Sequence, residues 1–407
     1  MGILRLYLAL CVVAAHTGGV FPWLMHDGKQ AVQIFYVISG FYMAMVLSSR
    51  YASLRDFYRS RFLRIFPTYW VVLTATAVGS IISGLVFKDW LLLTPYASHP
   101  LQHNGLIGLL LAAGSNLTLV GQDCIMFLSH EATQSFQFTS NFELDASPLW
   151  QYLLVPQCWS VSVELLFYSI VPFLNVIRSR WLVLITVCAL AARLFTYKNL
   201  GLAHDPWDYR FFPFEISLFL FGMLGFRVYE QTKRFHASLQ WRCSSTLLYI
   251  ATSAVLLSIL YAHARLLGYL NRFVGSEIGV LLSYPLWIPA IPLLFLFFGS
   301  RKDDRFIGEL SYPVYLIHFI VKVTMLPLLA HLALSPLLGA CSAILSVVLA
   351  FVLYVLLIVP LDKRRHLLVK AGAFSDTAKG EASPSAPVAR SHIASNPRPV
   401  TIGAPKE

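Results

Sequence analysis

The chain has 407 residues, of which 57% are hydrophobic and 13% are charged, and its formal net charge is +11. Soluble domains carry about 25% charged residues, so this composition excludes a soluble enzyme and predicts an all-α integral membrane protein. The Lys and Arg residues lie in the connections between apolar runs, which fits the positive-inside rule and gives no reason to expect a nucleic acid partner. Six cysteines show no CxxC or Cys/His spacing, and no metal is expected.

Eleven apolar runs follow one another along the chain. They cover 3–24, 31–49, 67–87, 105–121, 159–177, 181–198, 213–229, 244–264, 277–299, 310–333 and 337–360. If the chain starts in the cytoplasm and 105–121 does not cross, the cytoplasmic connections hold 17 Lys and Arg residues and the outer connections five. We therefore predict a bundle of ten transmembrane helices over 1–360, with a re-entrant or interfacial segment at 105–121. Residues 361–407, rich in Pro, Ser and Ala, predict a cytoplasmic, largely disordered tail.

The first apolar run contains Arg5 and His16 in the segment RLYLALCVVAAH. Eleven residues are close to three helical turns, so both side chains lie on one helix face, roughly 16 Å apart along the axis. This places a guanidinium at one membrane edge and an imidazole deep inside, where ionisable groups are usually functional. The cation could hold an anionic donor, and the imidazole could take a proton from a hydroxyl. The alternative is an ordinary flanking charge and a hydrogen-bonded histidine of the bundle.

The third apolar run is preceded by arginines in the segment RSRFLRIFPTYW, residues 59–70. Guanidinium groups bind phosphate through paired hydrogen bonds, so Arg59, Arg61 and Arg64 could hold a phosphorylated ligand. Pro67 is expected early in the helix that follows, where proline costs little. A basic flank that only sets the topology is the alternative, although it does not explain why these cations are all Arg.

The stretch 88–156 becomes one long connection on the outer side, and its charges after Lys88 are acidic. Long connections in compact proteins are often functional, so this one could form a lid or an acceptor-binding surface; a mobile spacer is the alternative. Cys124 and Cys158 are the two cysteines of the outer side in this topology. They could form a disulfide or remain two thiols.

The segment CWSVSVELLFY, residues 158–168, opens the next apolar run. Ser160 and Glu164 lie one helical turn apart, and Trp159 is expected at the membrane interface. A carboxylate inside the membrane needs a partner, and Glu164 could orient an imidazole or receive a proton from a hydroxyl. The alternative is an acid near a helix start that interacts with the helix dipole.

The segment ELSYPVYLIHF, residues 309–319, places polar side chains in an apolar run near the end of the chain. Ser311, Tyr315 and His318 share one helix face, and Lys322 follows one turn later. They could take part in the site that contains the other motifs. A buried polar cluster that holds helices together is the alternative.

Together with ISGFYMA, where Ser39-Gly40 permits close helix packing, these segments resemble one family. R-x10-H, SGF, RFLR-I-x-P-x-YW, WS-x-S-VE and SY-x-x-YL-x-H occur in the order seen in membrane-bound acyltransferase family 3. This family includes bacterial O-acetyltransferases of lipopolysaccharide, exopolysaccharide, Nod-factor and antibiotic sugars. The resemblance covers 1–360 and implies a stand-alone enzyme of the bacterial cytoplasmic (inner) membrane. The count of Lys and Arg residues predicts that both termini are cytoplasmic. Leu165 departs from the pattern, since many members have an acidic or polar residue there.

The resemblance implies transfer of an acyl group, commonly acetyl from acetyl-CoA, to a hydroxyl of a carbohydrate or lipid-linked glycan. With the patterns above, it assigns catalysis to His16 and Glu164, with His16 as general base or as an acylated intermediate. The phosphates of acyl-CoA would bind Arg5, Arg59, Arg61 and Arg64, and the substrate-binding or supporting residues would be Ser39, Trp159, Ser160, Tyr315 and His318. The expected partners are acyl-CoA, the glycan and membrane lipids. The competing hypothesis is an exporter of a sugar or organic anion, which would need no thioester.

Overall fold

The computed structural model describes residues 1–19, 26–49, 53–98, 105–130, 136–145, 147–238, 245–298 and 301–363. The helices are α1 (Gly2–Thr17), α2 (Gly28–Ser49), α3 (Leu54–Phe87), α4 (Thr94–Ser98), α5 (Gly105–Thr118), α6 (Gln122–Ile125), α7 (Trp159–Val176), α8 (Ser179–Leu200), α9 (Phe212–Ser238), α10 (Ser245–Val274), α11 (Ser276–Ser283), α12 (Trp287–Phe298), α13 (Lys302–His331) and α14 (Leu338–Leu353). The strands β1 (Leu128–His130) and β2 (Phe136–Phe138) pair antiparallel. From residue 364 on, the predicted tail lies outside the described residues.

Among the described residues, nine helical segments are long and apolar enough to cross a membrane. They are Gly28–Ser49, Leu54–Phe87, Pro156–Val176, Ser179–Leu200, Phe212–Thr232, Ile250–Val274, Ile278–Phe298, Lys302–His331 and Ser335–Lys363. The all-α polytopic membrane fold is confirmed. The remaining predicted span, α1, has only 16 residues because Gly18 ends it in the left-handed conformation, with φ 81°. At 1.5 Å per residue it is shorter than the hydrocarbon core of roughly 30 Å.

The apolar segment 105–121 forms α5, which has 14 residues and is also shorter than a membrane crossing. Its polar end is fixed to protein rather than to lipid. The amide of Asn116 donates to the carbonyl of Tyr152 at 2.9 Å and accepts from the backbone of Leu154 at 2.9 Å. This packing agrees with the prediction that the segment is re-entrant or interfacial, because non-spanning backbone at membrane depth must be satisfied by protein.

The third helix begins earlier than the apolar pattern predicted. Ser53 caps α3 by accepting a hydrogen bond from the backbone of Asp56 at 3.2 Å, and the helix runs for 34 residues. The prediction that Pro67 lies early in the helix is therefore wrong, since Pro67 is in its interior. The first turns of α3 mix charged residues with apolar ones, so an apolar run does not show where the helix starts. The arginines that precede Pro67 consequently lie on the helix itself.

Successive membrane-spanning helices alternate in direction along the chain, which gives the bundle two distinct ends. At one end the backbone of Gly2 donates to Asp304 at the start of α13, at 2.6 Å. At the same end the amide of Asn175, near the end of α7, donates to Ser48, near the end of α2, at 3.3 Å. We call this the basic end; it contains the starts of α1, α3 and α13. The opposite, loop end contains α4–α6 and the strands.

Two glycines bring α2 and α9 into backbone contact. A Cβ atom built on Gly40 would lie 1.9 Å from the carbonyl oxygen of Phe219, and one on Gly222 would lie 1.9 Å from that of Val37. Any other residue at either position would force the helices apart. The prediction that Ser39-Gly40 permits close helix packing is confirmed, and this packing fixes the position of Ser39 in the bundle.

The disulfide considered for Cys124 and Cys158 does not form, since both are free thiols. Cys158 is fully buried just before α7, whereas Cys124 is exposed on α6. Local burial and the neighbouring Asp123 carboxylate raise the pKa of the Cys124 thiol to about 11. The pairing was wrong because the positions of two cysteines in a sequence do not give the distance between their Cα atoms.

Candidate functional site

A cavity of about 790 Å³ lies inside the bundle and reaches the basic end. The cations on its wall are Arg5, Arg61, Arg64, Arg301, Lys302 and Arg305. Farther toward the loop end, its polar wall residues are Tyr36, Ser39, Ser160, Glu164, Ser311 and Tyr315. Apolar side chains such as Phe35 and Phe295 line the space as well. The cavity therefore connects a basic end, where Asp304, Glu309 and Asp362 lie among the cations, with a group of hydroxyls and the carboxylate of Glu164.

Three of the four arginines predicted to bind the donor line this cavity. Arg64 has a protein partner, because its Nη2 donates to both carboxylate oxygens of Glu309 at 3.2 Å. Arg5 on α1 and Arg61 on α3 also lie on the wall. Arg59 is exposed on α3 and is not among the described residues that line the cavity. Its position is that of a charge near the cavity rather than inside it.

Three further cations of the cavity were not predicted as ligands. Arg301, Lys302 and Arg305 lie at the start of α13, between the apolar runs. The sequence analysis counted them only as charges that set the topology. Their spacing carried little signal, because Asp303 and Asp304 stand between them and reduce the net charge of the segment to +1.

Glu164 is half-buried on the cavity wall and has two hydroxyl partners. Ser39 donates to its Oε1 atom, and Tyr168 donates to the same atom at 2.6 Å. Ser39 and Glu164, predicted from separate motifs, are therefore brought together, and Tyr168 was missed although it lies in the same motif segment. No hydrogen bond between the described residues joins Glu164 to His16.

His16 contacts His318 of α13 instead. The Nδ1 atom of His318 is 2.7 Å from the carbonyl oxygen of Tyr315, so it carries the hydrogen and its Nε2 atom accepts. That Nε2 atom is 3.3 Å from the Nδ1 atom of His16, which is also 2.9 Å from the carbonyl oxygen of Val12. A hydrogen on Nδ1 of His16 satisfies both contacts. The Nε2 atom of His16 then keeps the lone pair that a general base requires.

Tyr315 and Ser160 form the part of the cavity wall that is connected to this histidine pair. The hydroxyl oxygens of the two residues are 2.6 Å apart, and Tyr315 donates to the carbonyl of Gln157 at 2.6 Å. Tyr315 also accepts the hydrogen bond of His318 through its backbone. A continuous set of contacts therefore runs from the cavity wall through Tyr315 and His318 to His16.

Trp159 supports the start of α7 from the loop end. The guanidinium of Arg210 lies 4.2 Å from the centre of the Trp159 ring, and its Nη2 atom donates to Asp205 at 2.8 Å. Arg210 was counted only as an outer charge, and its isolated position in the sequence gave no other signal. Both members of the Arg210–Asp205 pair are buried, so they fix the loop end next to Ser160.

One hydroxyl on the cavity wall lacks a protein partner. The Tyr36 side chain is 3% exposed and its ring stacks on Phe219, but its hydroxyl makes no hydrogen bond to any described residue. A buried polar group without a partner is energetically costly, so this hydroxyl is available to a ligand in the cavity. Elsewhere, the described residues contain no group of three or more His, Cys, Asp or Glu side chains that could hold a metal ion.

A comparison with protein-family models identifies the type of protein. The model described as "Acyltransferase domain", of acyltransferase family 3, matches residues 1–355. Comparisons with curated proteins and with solved structures gave no match. The matched region includes every motif segment from Arg5 to His318, and with them the whole arrangement described above.

Proposed function

This chain belongs to acyltransferase family 3 and is an enzyme that transfers an acyl group to a hydroxyl, and from that premise we propose both of its substrates. The donor is acetyl-CoA or another acyl-CoA, and the acceptor is a cell-envelope or exported carbohydrate, free or lipid-linked. The protein works in the bacterial cytoplasmic membrane with both termini in the cytoplasm. The observation that carries this proposal is the cavity that joins the cations of the basic end to the wall next to His16 and His318.

The basic end suits the phosphates of acyl-CoA. Arg5, Arg61 and Arg64 present guanidinium groups, which match phosphate oxygens in geometry and charge. Arg59 outside the cavity adds attraction for the approaching anion. The cavity volume of about 790 Å³ lies within the usual range of ligand sites. With the basic end in the cytoplasm, the cavity opens where acyl-CoA is made.

The acyl arm of the donor extends toward Ser39 and Glu164. Glu164 is held by two hydroxyl donors, so its carboxylate is oriented before the ligand binds. We assign Glu164 a catalytic role next to the bound donor, because its hydrogen bonds hold its carboxylate on the cavity wall. Ser160, Tyr315 and Trp159 support this wall at its inner end.

His16 acts as the general base on the acceptor hydroxyl. Its Nε2 atom takes the hydroxyl proton, the oxygen attacks the thioester carbonyl, and the carbon–sulfur bond breaks. Coenzyme A leaves as the thiolate and is protonated, while the acceptor becomes an ester. His318 is a positioning residue, because it fixes the tautomer of His16. The same lone pair would serve an acyl-histidine route, and trapping of labelled enzyme separates the two routes.

The acceptor approaches from the loop end, on the far side of the histidine pair from the basic end. The stretch 88–156 belongs to this end and would supply the acceptor-binding surface. A glycan that is lipid-linked or close to the membrane can reach His16 without leaving the bilayer surface. The two substrates would therefore enter from opposite ends and meet at His16.

The proposal is tested by deleting the gene and comparing ester-linked acyl groups on surface glycans by mass spectrometry. The wild-type chain should restore the esters in the deletion strain, and the purified protein should consume radiolabelled acetyl-CoA. An exporter would instead change the amount of glycan outside the cell and leave its esters unaltered. Identical ester content with and without the gene contradicts the proposed function.

A further inference from the structure

Lys322 is a half-buried cation of α13 that the reaction described above does not use. It follows His318 by one turn of α13, so the two side chains share a helix face, and α13 packs against α1. Nine residues separate Lys322 from the end of α13, which is roughly 14 Å along the axis. A cation at this depth is costly and usually has a partner of opposite charge.

Lys322 and His16 lie against the same aromatic ring. The Nζ atom of Lys322 is 5.5 Å from the centre of the Phe319 ring. The imidazole of His16 meets the same ring edge-on, with 5.8 Å between ring centres. A molecule whose hydroxyl reaches His16 from the loop end would therefore present its adjoining groups to Lys322.

The positive charge of Lys322 lies near His16. No ion pair between described residues includes Lys322. Lys322 and Arg210 are the charged side chains that act on His16, and Arg210 is already paired with Asp205. General base catalysis converts His16 into an imidazolium, which adds a second positive charge beside Lys322. An anionic group on the acceptor would balance both charges where the reaction needs it.

We infer that the acceptor carries an anionic group, a phosphate or a carboxylate, which binds Lys322 while the neighbouring hydroxyl is acylated. This rests on the proposed transfer to a glycan and restricts that glycan to an anionic one. A sugar acid supplies a carboxylate, and a sugar joined to lipid phosphate supplies a phosphodiester. Lys322 is thus a substrate-binding residue that determines specificity, and a neutral acceptor would leave it without an anion.

The test compares Lys322→Met, Lys322→Arg and the control Lys198→Met in cells that lack the chromosomal gene. Lys198 is exposed near the end of α8, at the same end of the bundle. Ester-linked acyl groups on surface glycans are measured by mass spectrometry and normalised to the amount of protein in the membrane. We expect Lys322→Met to lower the esters at least about tenfold, because it removes the cation that would pair with the anionic group of the acceptor. Lys322→Arg keeps the charge and should retain most of the transfer, and Lys198→Met should match the wild type.

The same spectra show the charge of the acylated fragment, and this reading does not depend on how any variant folds. Acylated fragments that lose their charge with phosphatase or mild acid identify a phosphate, and those that lose it after carboxyl reduction identify a sugar acid. Acyl esters on neutral glycans alone overturn the inference, as does full transfer by Lys322→Met. If the wild-type chain restores no ester at all, the proposed function itself fails, which is a different result.

Discussion

Charged pairs have different surroundings at the two ends of the bundle. At the basic end Arg64 and Glu309 are 3.2 Å apart, and their side chains are 27% and 23% exposed. Toward the loop end Arg193 and Glu215 are 2.8 Å apart, with 3% and 0% exposed. The first pair faces a cavity and can exchange a partner for a ligand, whereas separating the second pair would leave a charge buried and alone. The same type of ion pair is therefore suited to the proposed ligand binding at one end and to a structural role at the other.

The buried pair is also tied to other helices. Gln33 of α2 donates to Glu215 at 3.1 Å, and Tyr284, after α11, donates to Gln33 at 2.5 Å. Arg193 donates to the hydroxyl of Tyr197 at 2.6 Å. Because every member is satisfied by protein, this network holds helices together and offers no group to a substrate. The two ends both contain charged pairs, so charge alone does not distinguish the proposed binding site. What distinguishes it is that its charged side chains are partly exposed to the cavity.

Replacement of His16 should have the largest effect on activity and should separate the two ends. His16→Ala removes the general base, and we expect transfer to fall by about 10²–10⁴-fold, as for other catalytic bases. Binding of acyl-CoA at the basic end should not change, because His16 does not line that cavity. Acyl transfer and equilibrium binding of labelled acyl-CoA measure the two effects.

The control for this variant is His331→Ala, since His331 is exposed at the end of α13. It should keep both transfer and binding. Equal loss of binding and transfer in His16→Ala would show that the two ends are not independent. Full activity in that variant would remove His16 from the mechanism.

Replacement of Arg193 should have the largest effect on stability. Arg193→Met leaves Glu215 buried without its cation, which typically costs about 3–5 kcal/mol of unfolding free energy. The midpoint of thermal unfolding in detergent should fall sharply, and the double variant Arg193→Met/Glu215→Leu should recover most of the loss. A double variant as unstable as Arg193→Met would show that the unpaired charge of Glu215 is not what destabilises the single variant.

Much of the candidate site follows from the sequence, because its residues lie in recognisable motifs. Arg5, Arg61 and Arg64 were placed near one membrane edge, and the structure puts them on one cavity wall. The contact between His16 and His318 could not be derived, because 302 residues separate them. The order of the apolar runs along the chain does not show which helices pack against each other. Periodicity gives the face of a helix but not the helix that it meets.

The errors arose where one local signal was given too much weight. The start of α3 was missed because its first turns contain several charged residues, although Ser53 and Asp56 form a capping signal. The length of α1 was overestimated because the apolar run continues past Gly18, whose backbone ends the helix. The possible disulfide depended on counting cysteines per side. In each case the missing information was the backbone geometry, which composition does not contain.

Acidification should lower the free energy of unfolding through protonation of His26, which lies at the loop end. Its Nε2 atom is 3.0 Å from His263, its Nδ1 atom is 3.1 Å from the hydroxyl of Tyr7, and burial lowers its pKa from 6.5 to about 4. Between these two values the unfolded chain binds a proton that the folded chain does not. Stability therefore falls as the pH drops from 6.5 to 4, by up to about 3 kcal/mol.

The measurement is the unfolding midpoint in detergent across this pH range, for the wild type and for His26→Gln. The variant should lose a smaller part of its stability on acidification, because it lacks the titrating ring. His331→Gln, which changes an exposed histidine, should follow the wild type. Parallel curves for the wild type and His26→Gln would assign the acid sensitivity to other groups.

Replacement of Arg64 by lysine should have the smallest effect and tests the basic end directly. Lysine keeps the positive charge and so the topology, but it lacks the planar fork that fits phosphate. We expect the Kd for acyl-CoA to rise about tenfold, which corresponds to roughly 1.4 kcal/mol, with little change in the unfolding midpoint. Arg59→Lys is the matched control, because Arg59 lies on the same helix but is exposed and outside the described cavity wall. If both lysine variants bind the donor like the wild type, the arginines of α3 set topology only, and the functional contrast between the two ends would then depend on the cations of α1 and α13.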